Sequence, residues 1–333
     1  MKKSCIIPAL LFFLIFPLFA QNNNKSETDY INLTLTENFG LLNGSISEYV
    51  YSFEDYKDNN GLLSRLDWDL KNIFYYEQKI QLDIIKYIYL GLDVFSAFSR
   101  SSGNMQDYDW LNPTKWPNDD PTELTNYSIH DNYLDGFNKI NLSLGLNFFI
   151  IPKTVLSAFF QYEYANINFS ASDGFRTYKS ENWEHIDFSG KVILYKQIFK
   201  AGFIGLSLRT KIIPHFLINA DIAVSPFFMT IDTYDYHLKN RTNGGTLFWD
   251  KIINTFELKS SASIQFNFAK HHNIGLNASL TYVPVSIGED SSKYLDADGN
   301  ISSSNKDWIS QSAFGGTDNF IYSIALTYTF TLF

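Results

Sequence analysis

Cysteine is nearly absent from this chain: Cys5 is the one thiol in 333 residues. It lies in an N-terminal segment where Lys2 and Lys3 precede an apolar run, Ile6 to Phe19, and small Ala20 stands before Gln21. That is the layout of a secretory signal cleaved after Ala20. The run is too short, and too interrupted by Pro8 and Pro17, for an anchoring helix. Residues 1–20 are expected to leave and to take Cys5 with them. The exported part, residues 21–333, would then have no disulfide, no thiol nucleophile and no thiolate metal site. Positive charge is scarce as well, with 26 Lys and Arg against 35 Asp and Glu. The net charge of −9 becomes −11 once Lys2 and Lys3 are lost. Such an acidic protein is a poor nucleic-acid binder and is suited to basic peptides. After residue 21 no apolar stretch is long enough for a spanning helix. There is no His-Glu-x-x-His zinc pattern, no linker, no repeat, and no low-complexity tract beyond Asn22–Asn24.

What the chain has in excess is aromatic residues, 17% of the total, mostly the 30 Phe and 21 Tyr. In the last segment they are sorted by face. Tyr322, Ile324, Leu326, Tyr328, Phe330 and Leu332 alternate with Ser323, Ala325, Thr327, Thr329 and Thr331. A strand separates these into an oily face and a small polar face, whereas a helix would scatter them. The pattern predicts an all-β protein, a ten-stranded antiparallel transmembrane β-barrel forming a single domain over residues 21–333. The aromatic end at Phe333 resembles the assembly signal of outer-membrane barrels. Short turns are expected at Ile85–Tyr87, Ile151–Lys153, Ile213–His215 and Lys270–Asn273. Long loops are expected at Glu54–Gly61, Gly103–Thr125, Ser172–Glu184, Leu238–Gly245 and Gly288–Gly315. Strands such as Ile186–Thr210 exceed the roughly 10 residues that cross a bilayer, so they should project beyond it on the loop side.

Two groups of residues at that rim could carry chemistry. Asp107 and Asp109 share a strand face, and like charges so close raise one pKa; an Asp-x-Asp in a polar loop is otherwise an ordinary solvated turn. Asp235 and His237 also share a face, so the carboxylate could orient the ring and stabilise its charged form. Of the six histidines, His215, His271 and His272 fall in expected turns. His130 and His185 lie near the loop side but have no same-face Asp two residues earlier. Asp296-Ala297-Asp298-Gly299-Asn300 has its glycine too early for an EF-hand and no closing glutamate, and reads as a surface turn.

Several segments in order resemble the omptin family. Ser99 to Trp110 is similar to the segment bearing that family's Asp pair. Ser64-Arg65-Leu66-Asp67-Trp68, Tyr195-Lys196-Gln197 with Gly205-Leu206, Asp235-x-His237 and Tyr328-Thr329-Phe330 also match, across Gly40 to Phe330. The resemblance implies an outer-membrane endopeptidase with no cofactor, no metal and no covalent intermediate. It would act as a monomer with the site facing outside. Asp107 and His237 would activate a water, Asp235 would orient His237, and Asp109 would position Asp107. It also implies a pocket for a basic residue, with Glu48 of Gly44-Ser45-Ile46-Ser47-Glu48-Tyr49-Val50-Tyr51 as its first acid. The second acid is replaced by Thr233, and Asp232 should face the other way. That predicts a weakened preference for basic residues. The family's lipopolysaccharide-binding positions fall on Tyr164, Asn166 and Ile198, with Tyr162 and Lys251 retained, so the motif is largely absent. A non-catalytic surface adhesin on the same barrel is the alternative. A ten-stranded porin would have little open lumen.

Overall fold

The computed structural model describes residues 31–52, 61–110, 123–151, 153–241, 244–302 and 307–332. The expected signal, residues 1–20, lies outside them. The chain folds into one closed antiparallel sheet. Its strands are β1 (Asn32–Ser52), β2 (Leu62–Ile85), β3 (Ile88–Ala97), β4 (Arg100–Asp109), β5 (Asn126–Ile151), β6 (Thr154–Tyr178) and β7 (Ile186–Asp187). They continue with β8 (Lys191–Ile213), β9 (Phe216–Arg241), β10 (Gly244–Ala269), β11 (His272–Leu295) and β12 (Ile309–Thr331). β1 pairs with β2 on one side and with β12 on the other, from Thr34 opposite Thr331 to Ser52 opposite Ala313, which closes the ring. No described helix is long and apolar enough to cross a membrane; the crossing is made by strands.

Two segments more than the expected ten are present, and both arise from interruptions. β3 and β4 follow one another between β2 and β5, separated at Phe98–Ser99, and β7 is a two-residue pairing onto β6 ahead of β8. The expected long loops are also shorter than anticipated. β4 runs through Asp109, β6 to Tyr178, β9 to Arg241, β11 to Leu295, and β12 begins at Ile309. Beyond the membrane both faces of a strand are wet, so the apolar alternation that marks a strand fades although backbone pairing continues. Most of the expected loop Glu54–Gly61 lies outside the described residues.

Period-two sorting decides which way side chains point. On β12, Tyr322, Ile324 and Leu326 are exposed while Ser323, Ala325, Thr327 and Thr329 are buried inside. The same outward apolar face recurs in Ile140, Leu142, Leu144 and Leu146 on β5, and in Ile204 and Leu206 on β8. A contiguous exposed apolar girdle is stable only against lipid. On the strands that carry the candidate site the girdle reaches Leu41, Phe228, Ile253 and Val285, with Phe98 in the break between β3 and β4.

The interior is layered. Toward the short turns the lumen is polar, a cavity of about 270 Å³ lined by groups such as Lys79, Asp93, Glu163, Arg209 and Lys259. Above it sits an aromatic plug. Trp68 stacks on Tyr195 at 5.2 Å and on Phe169 at 5.4 Å, and all three are essentially inaccessible. Gln197 ties the plug to the opposite wall, donating to the Tyr195 hydroxyl (2.7 Å) and to Thr317 Oγ1 (2.6 Å). Thr317 in turn donates to the Ser47 carbonyl (2.7 Å). The segments Leu66-Asp67-Trp68 and Tyr195-Lys196-Gln197 thus form the floor on which the rim is built.

Candidate active site

Above this floor, on the loop side of the apolar girdle, the barrel wall carries a set of acids around one histidine. Asp107 and Asp109 lie on β4, which is hydrogen-bonded to β2 and β5. Asp107 sits opposite Leu66 and Ser128, Asp109 opposite Ser64 and Asn126. Asn126 Nδ2 donates to Asp109 Oδ2 at 3.2 Å. Asp107 Oδ1 is buried without a partner. Burial, and then the charge of Asp109, push the Asp107 carboxyl well above the usual range, while His237 pulls it down. Burial also raises Asp109, against the Ser64 and Asn126 hydrogen bonds that favour its charged form. Both shifts favour proton uptake by this pair over full ionisation of both carboxyls.

His237 and Asp235 lie on β9. Asp235 is 3% exposed and accepts a hydrogen bond from His237 Nε2. The ring packs edge-on against Phe248 of β10, centroids 5.5 Å apart, and Phe248 is the cross-strand neighbour of Asp235. Burial works against the imidazolium, but Asp235 and then Asp107 and Asp109 outweigh it and hold the ring at about 9. The two groups expected from sequence are therefore brought into one electrostatic cluster.

Glu48, 2% exposed, belongs to that cluster. Its Oε2 has no partner. Burial, then Asp235, Asp250, Asp290 and Asp107 raise its carboxyl well above the usual range. Thr233 faces inward, 1% exposed, and donates its hydroxyl to Asp250 Oδ2 at 2.8 Å. Asp232 faces out, 3.8 Å from the Lys200 ammonium, as its strand parity requires. The sequence model of the Omptin family matches residues 29–330.

The chain belongs to the omptin family. It is 24% identical to the plasminogen activator of Yersinia pestis over 287 residues, covering 81% of this chain and 86% of that protein. It is 26% identical to the outer membrane protease IcsP of Shigella flexneri over 282 residues, covering 83% and 82%. The crystal structure of the outer membrane protease OmpT from Escherichia coli superposes with a TM-score of 0.76. That match spans 92% of this chain and all of that one at 24% identity, and it shows the shared barrel fold.

Three groups in this omptin's rim were not found from sequence. Asp250 of β10 is directly opposite Thr233, and Asp290 of β11 is directly opposite Asp250. Both are buried. Burial and then Asp290 raise Asp250 well above the usual range, and burial lifts Asp290 to about 6. The third is Tyr178, whose phenol is pushed up to about 12 by burial and then by Asp107 and Asp109. It therefore stays a hydrogen-bond donor beside the acid pair. Their only sequence signal was placement at strand ends; the cross-strand register that assembles them is not written in any one segment.

The remaining histidines make local contacts. His130 is buried, its Nδ1 2.6 Å from the Asp173 carbonyl and its Nε2 2.9 Å from Ser128 Oγ. His185 is exposed beside Asp187, two residues after it (3.0 Å). His272 begins β11 rather than lying in a turn, and its Nδ1 is 2.7 Å from the Tyr328 hydroxyl. On the outer wall Tyr162 and Tyr164 are exposed, and Ile198 stands in register between Asn166 and Asp232.

Proposed function

We propose that this omptin is an outer-membrane endopeptidase whose active site faces outside and cleaves peptides with a water held between Asp107 and His237. The observation that carries this reading is the single cluster formed by the Asp235–His237 pair and the Asp107–Asp109 pair on opposite stretches of wall, above the Trp68, Phe169 and Tyr195 floor. Two of the relatives named above are outer membrane proteases, which supports the same reading.

The chemistry follows from the charge states. Asp107 and Asp109 cannot both ionise readily, so the pair takes up a proton from the water as it attacks the scissile carbonyl carbon. His237, charged below about 9, stabilises the developing oxyanion and then gives its proton to the departing amine. Asp235 accepts from Nε2, which leaves Nδ1 for the reacting atoms. The proton on the Asp pair returns to the imidazole, and the products are a carboxylic acid and an amine, which leave as carboxylate and ammonium once the acid gives up its proton. Glu48 and Thr233 would line the pocket for a substrate side chain, with a preference for basic residues. The protein would act as a monomer.

The test is cleavage of a peptide library by protein refolded in detergent. His237→Ala and Asp107→Asn should each keep the folded barrel's heat-modifiable migration and lose at least about a thousandfold in kcat/KM. The double variant should lose little more, because both residues act on one water. Full activity in His237→Ala would overturn the mechanism.

A further inference from the structure

We propose that the turn-side end of the barrel, opposite the candidate active site, is a binding surface for anionic phospholipids. Lys86, Lys153, Lys211 and Lys270 each hold a phosphate-bearing headgroup of the leaflet at that end. The protein as a whole is acidic, but its charge is sorted along the barrel axis. Residues 84–92, 142–162, 201–220 and 260–288, which surround the four turns on that side, contain no Asp or Glu. Each of these segments carries one of the four lysines at its turn. Arg209, the remaining Lys or Arg of those segments, lines the lumen instead.

All four lysines are exposed, and among the described residues none of them has a carboxylate partner. The loop-side end is built differently. There Arg65 pairs with Asp67 at 2.8 Å, Lys71 with Asp69 at 2.6 Å and Lys179 with Glu123 at 3.0 Å. Cations at that end are neutralised by acids of the same wall, whereas those at the turns are left for an anion from outside.

Which anion it is follows from what surrounds the lysines. Tyr87, Ile151, Ile212 and Phe268 are 47–55% exposed, and each lies within two residues of a turn lysine. They carry the apolar girdle to the end of the wall, so hydrocarbon reaches almost to the ammonium groups. The Lys86 ammonium stands 5.6 Å over the Tyr87 ring, with its stem along apolar surface and its charge at the boundary. A water-soluble acidic partner would leave these large apolar side chains wet, whereas a leaflet covers them and offers phosphates at the same level. The four lysines belong to separate hairpins, β2–β3, β5–β6, β8–β9 and β10–β11, set around the ring. A leaflet meets such a circle of charges; a single small anion does not.

The experiment measures which lipid the barrel keeps beside it. Full-length mature protein is refolded into phosphatidylcholine vesicles that carry spin-labelled phosphatidylglycerol or spin-labelled phosphatidylcholine, and the motionally restricted fraction of each is compared. A lysine at the surface should favour the anionic headgroup about fivefold, which averages to at least about twofold over the whole lipid shell. Replacing all four lysines (Lys86→Gln, Lys153→Gln, Lys211→Gln, Lys270→Gln) should bring the ratio close to one. The triple variant Lys196→Gln, Lys200→Gln, Lys251→Gln at the other end should leave it unchanged. Sodium chloride at about 1 M, where screening acts within about 3 Å, should also abolish the preference of the wild type. That arm stands even if the quadruple variant does not refold. Equal association of the two lipids would overturn the proposal, as would a preference that survives the quadruple variant or high salt, or one that disappears in the triple variant. Sedimentation with purified cell-wall sacculi that depends on the four lysines, without any lipid preference, would assign the surface to an acidic polymer and overturn it too.

Discussion

Replacing Asp235 by Asn removes the charge that does most to keep His237 protonated, and the size of the effect can be worked out. The ring is held at about 9 against an ordinary value of 6.5. At 1.36 kcal/mol per unit, that difference is about 3 kcal/mol net of the opposing burial. Asn at 235 keeps the shape but only a dipole, while burial remains, so His237 should titrate near or below 6.5. At pH 7.5 the charged fraction would fall from roughly 97% to roughly 10% or less, by the same relation. Because the proposed mechanism uses the imidazolium, wild-type kcat/KM should decline as pH rises through about 9. The variant's alkaline limb should move acidward by about 2.5 units or more. The same group makes a pH-dependent contribution to stability. Its pKa is raised by folding, so the contribution is complete below 6.5 and is lost as pH rises to about 9. NMR titration of ring-labelled histidine in detergent micelles, with His237 assigned by its alanine variant, reads the pKa directly; the pH profile of peptide cleavage reads its consequence. If Asp235→Asn leaves both the resonance titration and the alkaline limb in place, Asp235 does not set the charge of His237.

Other outcomes follow from the same structure. EDTA should leave cleavage unchanged, since side chains alone are proposed to hold the water; loss of activity restored by a divalent ion would contradict this. In intact cells a cysteine in place of Asp298, exposed in the loop-side turn, should react with an impermeant maleimide, whereas one in place of Lys270 at the opposite end should not. The reverse labelling would invert the proposed orientation. Refolded protein should cleave without added lipopolysaccharide, because Ile198 presents no positive charge to a lipid phosphate where the family's motif would need one. Strict dependence on that lipid would refute the inference.

The parts of the fold that were legible in the sequence are those where water and lipid face each other across one strand. The Tyr322–Leu332 alternation was readable because hydrocarbon outside and a polar lumen inside impose a period of two. The Asp107–Asp109 and Asp235–His237 groupings were readable because each sits on one strand, where parity alone decides who shares a face. Asp250 was missed because its partnership with Thr233 depends on the register between β9 and β10. That ladder slips between Gly244 and Thr246, close to the connection from which the register would be counted, so a count along the chain does not find the pairing. The lost second acid was sought two residues along its own strand, and a buried carboxylate stands one strand over.

The hydrogen-bonded seam between the first and last strands has a consequence for how this protein can be cut and rejoined. Near the seam's end the Leu332 amide donates to the Leu33 carbonyl at 2.8 Å, so the two ends of the ring are neighbours and a few flexible residues would bridge them. Deleting β12 would leave two rows of bare amides and carbonyls in hydrocarbon, at several kcal/mol for each group, and no smaller barrel could form without reregistering every wall. Moving the opening costs far less. A circular permutant that links the native ends and begins instead at the Pro214–His215 turn keeps both new ends on the same side of the membrane as the old ones. Every ladder then survives, and a closed ring of strands has no privileged place to start.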